Sequence, residues 1–519
     1  MSGVAGAGLM ADAAQTACPP LQRLFSEGEL DVLATPLSIR LERAALARDV
    51  SATAEIRAQM DLECLAIYDS YMQWVAVLQT FILSHATEAQ HDEALRQMGE
   101  HAFRDHVLDY RGIGFREHVR LLASRLRASG STFSASELDD RVRFTVDPLG
   151  AIRQWRVGRP WQEEGSRKRV DDRYRYPCYG AYGSPISFAT LGRARPLTQS
   201  RADLPCFLAA EILFLETLPI ELLGYPIAVV TLPEDLQNPA YLDVYKDCAT
   251  IPAAVYTRVG TAKATRGFPN RPPGRVFSEP ELRQLGTPLS IQVEQAAARS
   301  EWETLAAIAA EMDEELTGAK DPLGLLINGL LTWIAGHLGE DSVEAALVHT
   351  AEVVMEPYIS SVRGLQIRDA IPMWAMVWRA HGSTFSIEEW RDTFVFRGRP
   401  LGACARMWAH RYQTKTERIS ESRVRYRTFG AYDAPMCCRL MQEPRGITHG
   451  KTGYPIYSTH CHMLHEIYPI DRLGHPLWVE SHPIHDPDGE TVHVHYKNPA
   501  DWPAEVYERV GRRKPPPAP

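Results

Sequence analysis

The sequence predicts an α+β fold made by tandem duplication, two copies of one domain packed in a pseudo-two-fold arrangement. Three observations lead there. Segments recur along the chain: FSEGELDVLATPLSI at Phe25 and FSEPELRQLGTPLSI at Phe277, GSTFS at Gly130 and Gly382, YGAY at Tyr179 and FGAY at Phe429, VYTRVG at Val255 and VYERVG at Val506. Their offset drifts only between 250 and 252 residues, the size of a folding unit rather than of a short stacking repeat. Within each copy, helix-like apolar spacing comes first and strand-like alternation later, which is the pattern of segregated helices and sheet.

In chain order, residues 1–20 read as a disordered tail without the basic and apolar regions of a secretory signal. The first copy spans 21–260, and TAKATRGFPNRPPGRV at 261–276 is a linker rich in Gly, Pro and Arg. The second copy spans 277–511, and 512–519 form a Pro-rich tail. Because such duplications descend from fused homodimers, the copies are expected to form an intramolecular pseudo-dimer.

Each copy opens with helix-forming composition, in LSIRLERAALARD from Leu37 and LSIQVEQAAARSEWETLAAIAAEMDEEL from Leu289. Further helices are predicted over 90–107, 115–128, 342–355 and 367–380. The apolar run at 322–339 is interrupted by Asn328 and His337, and its counterpart holds Asp69 and Gln79. Both are read as buried core helices, not membrane spans. After GSTFS the texture changes: DDRVRFTVDP at 139–148 and RDTFVFRGRP at 391–400 alternate like strands entering turns. Each copy ends with a short helix and two more strands, PIAVVTL and YLDVYK in the first, PLWVESH and TVHVHYK in the second.

Composition narrows the function classes. With 45% hydrophobic and 23% charged residues the chain reads as an ordinary soluble globular protein. A formal charge of -9 offers no long-range attraction to nucleic acid or anionic membranes, so neither is an expected partner. Nine cysteines without a CxxC pair argue against a disulfide framework and for a reducing, cytoplasmic setting.

The copies differ most at their histidines. Nine of the 18 lie between His449 and His495. His460, His462 and His465 stand where the first copy has Ala210, Ile212 and Leu215, and His493 and His495 replace Leu242 and Val244; Glu466 alone has an equal, Glu216. Apolar residues at the matching positions imply inward-pointing imidazoles, which burial and mutual repulsion keep neutral and a shared metal ion satisfies together. On a helix, His462, His465 and Glu466 sit at i, i+3 and i+4 with His460 nearer the entrance; in an extended chain, His460 and His462 share a face. His493 and His495 share a strand face and could add a ligand. The expected metal ligands are therefore His460, His462, His465, Glu466, His493 and His495. A hydrogen-bonded core role is the plainer reading of any single histidine, and His482 and His485 read as an exposed turn.

Cys461 lies inside this block and could act as a thiolate, whereas Cys404, Cys437 and Cys438 read better as small buried residues. The turn in RPLGACARM at 399–407 could present N–H groups to a carboxylate, although chain reversal explains it more simply. Arg425 and Arg427 could bind an anionic substrate, and charged strand edges account for them equally well.

HGSTFSIEEWRDTFVFRGRPLGACARM followed by GYPIYSTHCHMLHEIYPIDRLGHPLWV resembles a group of bacterial single-domain proteins with a P-C-G-S-G-G turn and a Y-C-x-H-C segment before a Glu. More distantly it is similar to hydrolases that open the ring of 2-amino-thiazoline-4-carboxylic acid. His460, Cys461 and Glu466 match; Ser458, Leu401 and Ala403 depart from the Cys, Cys and Ser of the motifs. The resemblance covers the last two-thirds of the second copy and, weakened, the first.

Together these readings predict a metal-dependent enzyme for a small polar molecule, a hydrolase or lyase, with its site in the second copy and a degenerate first copy buttressing it. Glu466 is expected as ligand or general base and Cys461 as a second catalytic group. Zn, Fe or Cu fit such ligands, so an Fe- or Cu-dependent oxygenase is the alternative enzyme, and a non-catalytic metal-binding or regulatory protein the alternative outside enzymes.

Overall fold

The computed structural model describes residues 23–147, 189–202, 204–234, 238–263, 274–398, 417–418, 424–425, 439–481 and 490–516. Within them the protein is mixed α+β, with long helices and small antiparallel sheets. The first half runs α1 (Glu27–Ala34), α2 (Leu37–Ala47), α3 (Val50–His85), α4 (Glu88–Leu108), α5 (Phe115–Ala128), β1 (Thr132–Glu137) and β2 (Arg141–Asp147). It continues through β3 (Thr190–Leu191), β4 (Leu204–Pro205), α6 (Cys206–Ile212), α7 (Leu218–Leu223), β5 (Val229–Thr231), β6 (Ala240–Tyr245) and α8 (Ala253–Arg258).

The second half repeats this order. It has α9 (Glu279–Gly286), α10 (Leu289–Ala298), α11 (Trp302–His337), α12 (Glu340–Thr350), α13 (Glu356–Val362), α14 (Ile367–Ala380), β7 (Phe385–Glu389) and β8 (Thr393–Gly398). After short pairs β9 (Glu417–Arg418) with β10 (Val424–Arg425) and β11 (Leu440–Met441) with β12 (Tyr454–Pro455) come α15 (Thr459–His462), α16 (Tyr468–Leu473), β13 (Val479–Ser481), β14 (Thr491–Tyr496) and α17 (Ala504–Glu508). Each half contributes one four-stranded antiparallel sheet, ordered β1-β2-β6-β5 and β7-β8-β14-β13.

Local chemistry sets the boundaries. Ser26 and Ser278 each form a capping box with a glutamate three residues on, Glu29 and Glu281, which satisfies two otherwise orphaned N–H groups at the starts of α1 and α9. The single helix expected from Leu289 is broken at Ser300, which takes φ 56°, as Arg48 does with φ 55° after α2. The following helices, α3 and α11, are each 36 residues long. They carry buried Asp69, Gln79, Lys320, Asp321 and Asn328, and no described helix is long and apolar enough to cross a membrane. β1 and β7, to which the sequence pattern assigns no element, are edge strands with little apolar alternation of their own; pairing with β2 and β8 defines them.

The halves hold each other reciprocally. Glu389, at the end of β7, accepts the N–H groups of Leu24 at 2.8 Å and Phe25 at 3.0 Å and pairs with Lys497 at 2.7 Å. Glu137, at the end of β1, accepts those of Val276 and Phe277, both at 2.7 Å, and pairs with Lys246 at 2.6 Å. Thus α1 lies on the second half's sheet and α9 on the first half's. Across the halves, Arg379 of α14 binds Glu63 of α3 and the carbonyl of Leu33, while Arg127 of α5 binds Glu315 of α11 and the carbonyl of Leu285. Most buried apolar side chains of both halves join one continuous core.

Candidate metal centre

The histidine-rich segment enters its site from a 3-10 turn and β12. α15 covers Thr459–His462, one π-helical turn follows over Met463–Ile467, and α16 resumes at Tyr468 before Gly474, with φ 85°, ends it. Helical phase divides the HxHxxHE residues. Positions four apart share a stripe, so His462 lies above Glu466 and Cys461 above His465 on the neighbouring stripe. The convergence of His460, His462, His465 and Glu466 expected from spacing does not occur: His449, His462 and Glu466 form one group, and Cys461, His465 and Glu480 another.

The first group is held by hydrogen bonds. Glu466 is fully buried, and Arg509 donates to both of its oxygens at 2.7 Å. Its remaining contacts are His449 Nε2 at 3.1 Å and the N–H of Glu480 at 3.4 Å. Burial pushes this carboxyl upward, but the charge of Arg509 and the His449 contact outweigh it and hold the group near about 2. His462 contacts the Tyr454 hydroxyl at 3.2 Å and the Ile447 carbonyl at 2.9 Å, using both ring nitrogens. Burial, reinforced by His449, drives it well below its usual range, so it is neutral at pH 7. The first half keeps the same frame: Arg258 binds Glu216, which accepts the N–H of Val230 at 2.6 Å. In the second half this carboxylate is a strut between α15–α16, β13 and α17; in the first half burial outweighs the charge of Arg258 and pushes Glu216 up to about 7.

Among the described residues the second group has no counterpart in the first half. Cys461, His465 and Glu480 each place one donor atom within 4.8 Å of the others. At the matching positions stand Glu211, Leu215 and Val230. Glu480 faces His493 across the β13–β14 register, with His493 Nε2 at 3.1 Å and His465 Nδ1 at 3.9 Å from its Oε2. Trp378 donates its indole N–H to His493 Nδ1 at 3.1 Å. Indole is a donor only, so a neutral His493 carries its proton on Nε2, the nitrogen 3.1 Å from Glu480 Oε2. His493 thus stands beside the carboxylate as a proton-bearing ring; a lone pair on Nε2 for a metal is not compatible with that tautomer.

His460 stands beside this group. Its Nε2 lies 3.4 Å from Cys461 Sγ, its Nδ1 meets the Tyr457 carbonyl, and its ring packs on Trp74 of α3 at 4.7 Å. Tyr457 stacks on the same Trp74 at 6.0 Å and donates to the Tyr71 hydroxyl at 3.3 Å, so the first half supplies part of the wall. Trp478 covers His465 at 4.1 Å between ring centres. His495, expected as a ligand, is stacked on Trp374 at 4.3 Å and packed against Phe396 at 4.7 Å, and it belongs to neither group. Burial, with His493 nearby, drives it well below its usual range.

Arg425 lies in the two-residue strand β10, paired with Glu417 by register, while Arg427 falls outside the described residues. So do Cys404, Cys437, Cys438, His482, His485 and the turn with Leu401 and Ala403. Sequence reasoning missed Glu480 and the partners of Glu466. The signal for Glu480 was present, since an acid there replaces Val230 on an inward-facing strand. Arg509 matches Arg258, so no difference between the copies marks it. The chain matches no protein-family model, and no curated protein and no solved structure matches it.

Proposed function

We propose that the second half is a metal-dependent enzyme centre, with Cys461, His465 and Glu480 as the protein ligands of a transition metal such as Zn, Fe or Cu. The observation that carries this reading is three chemically suitable donors gathered within 4.8 Å in a buried, aromatic-walled site, where the first half has Glu211, Leu215 and Val230. One thiolate, one imidazole and one carboxylate leave a fourth position for water or substrate, as catalytic zinc sites do. When bound, the ion supplies Lewis acidity toward a substrate oxygen or nitrogen.

The chain's own groups have separate tasks in this reading. His493, fixed by Trp378, holds a proton against Glu480 and aims it; His460 is placed to exchange a proton at Cys461 or with a small polar substrate. Trp74, Tyr457 and Trp478 exclude water around them. A hydrolase or lyase is the reaction class we favour, and the resemblance to thiazoline-ring hydrolases, through His460 and Cys461, points the same way. Glu466 has a structural part in this scheme.

The same proposal includes the chain's origin and shape: a fused duplication packed about a pseudo-two-fold axis. The reciprocal Glu389 and Glu137 clasps, the paired Arg379–Glu63 and Arg127–Glu315 bridges, and the identical sheet orders support it.

Metal analysis of protein purified without chelators tests the centre. Because the first half folds with Leu215 and Val230 on the same frame, His465→Leu and Glu480→Val are conservative for packing. Wild type and His462→Ile should retain comparable metal, while His465→Leu and Glu480→Val lose it. Metal-free wild type, or equal retention in Glu480→Val, refutes the centre.

A further inference from the structure

The first half has a cavity where the second half has rings. Leu122, Leu126, Ala210 and Leu215 occupy the positions of Trp374, Trp378, His460 and His465. Two indoles and two imidazoles are thus missing from a common frame, and the space they leave is a cavity of about 90 Å³ that these four residues line. Tyr68, Phe103, Glu211 and Phe214 add to its wall on the first half's side, and Leu323 of α11 borders it from the second half.

Its charged groups are unequal. Arg125 also borders the cavity, but its guanidinium lies 3.6 Å from Asp109, donates to the His106 carbonyl at 3.2 Å, and covers the rings of Tyr110 and Phe214 at 5.2 and 4.9 Å. Glu211, the residue opposite Cys461 in the repeat, forms no hydrogen bond or ion pair among the described residues. Burial pushes its carboxyl up to about 7. A half-buried acid beside largely apolar walls is matched by a cation that brings its own apolar body.

We propose that this cavity binds a small branched aliphatic primary amine, with the hydrocarbon among Leu122, Leu126, Phe214 and Leu215 and the ammonium on the Glu211 carboxylate. An ammonium offers three donors to one carboxylate, and the modest volume favours a compact branched alkyl group over an aromatic one. The site is independent of the metal centre, since none of its residues is a proposed ligand.

The test is titration of the full-length protein with isopentylamine, isopentanol and isovalerate, followed by NMR or calorimetry. Isopentylamine should bind at least about ten-fold tighter than the other two, in line with a charge-assisted contact. Glu211→Gln should weaken the amine by about ten-fold or more with the melting temperature unchanged. Leu126→Trp, which restores the ring present at Trp378, should abolish binding of all three. The proposal is overturned by absent saturable binding of the amine at millimolar concentration, by isovalerate binding as well as the amine, or by Glu211→Gln binding it normally. Should Leu126→Trp fail to fold, Glu211→Gln decides alone.

Discussion

Replacing Glu389 with alanine should unfasten α1 from the second half's sheet. The Glu389 side chain is fully buried and accepts three donors, the N–H groups of Leu24 and Phe25 at 2.8 and 3.0 Å and Lys497 Nζ at 2.7 Å. Hydrogen bonds to a charged group are each worth roughly 1.5–3 kcal/mol net, which sets a gross ceiling of several kcal/mol. The loss is limited because Lys497, at 15% side-chain exposure, can turn to water and the strap can peel away to hydrate its amides. Peeling, however, uncovers Phe25, packed edge-on against Phe394 at 5.8 Å, and the buried Leu30. Balancing these terms, the expected destabilisation is about 3–5 kcal/mol, the usual cost of breaking a buried pair from one side. Equilibrium urea unfolding measures the total, and amide hydrogen exchange over Glu27–Ala34 locates it. A loss below about 1 kcal/mol, with those amides as protected as in wild type, would refute the clasp as a fastening between halves.

Other outcomes follow from the same geometry. Arg509→Met leaves the Glu466 carboxylate buried without its partner and should cost roughly 3–5 kcal/mol in urea unfolding, whereas loss of metal without loss of stability would mean that Glu466 is a ligand after all. His118 is fully buried against the Ile227 carbonyl at 2.7 Å, and burial lowers it to about 4. Its folded pKa lies below its unfolded value, so its contribution is present above about pH 6.5 and is lost as pH falls toward 4, up to about 3 kcal/mol. Wild type should therefore lose more stability over that window than His118→Gln; parallel curves would contradict this. A Cβ at Gly398 falls 2.6 Å from the Trp378 ring, so Gly398→Ala should displace the indole that orients His493. Its signature is metal retention lowered by about ten-fold, beyond a stability loss of about 1–3 kcal/mol, while normal retention would argue against His493 as the positioning partner of Glu480.

Much of the scaffold was legible from sequence. The helices over 115–128 and 367–380 and the strands at Arg141–Asp147 and Thr491–Tyr496 follow from local patterns. The break at Ser300 was not, because the residues around it have good helical composition and the left-handed turn there is stabilised by packing between the flanking helices. Comparison of the repeats singled out the segment that holds Cys461 and His465 and the strand that holds His493. It grouped them incorrectly, since a spacing of three or four residues does not distinguish adjacent stripes once a π turn intervenes.

The sequence alone determined the repeated order of elements and the inward-facing histidine block, because hydrophobic period and residue identity act over a few neighbours. Only the tertiary structure decided who meets whom. It brought Arg509 onto Glu466 across 43 residues, Glu480 onto His493 across a strand pair, and Leu24 onto Glu389 across 365 residues. Electrostatic pairing and desolvation depend on distance in space, and that distance is set by how helices and sheets pack, not by position along the chain.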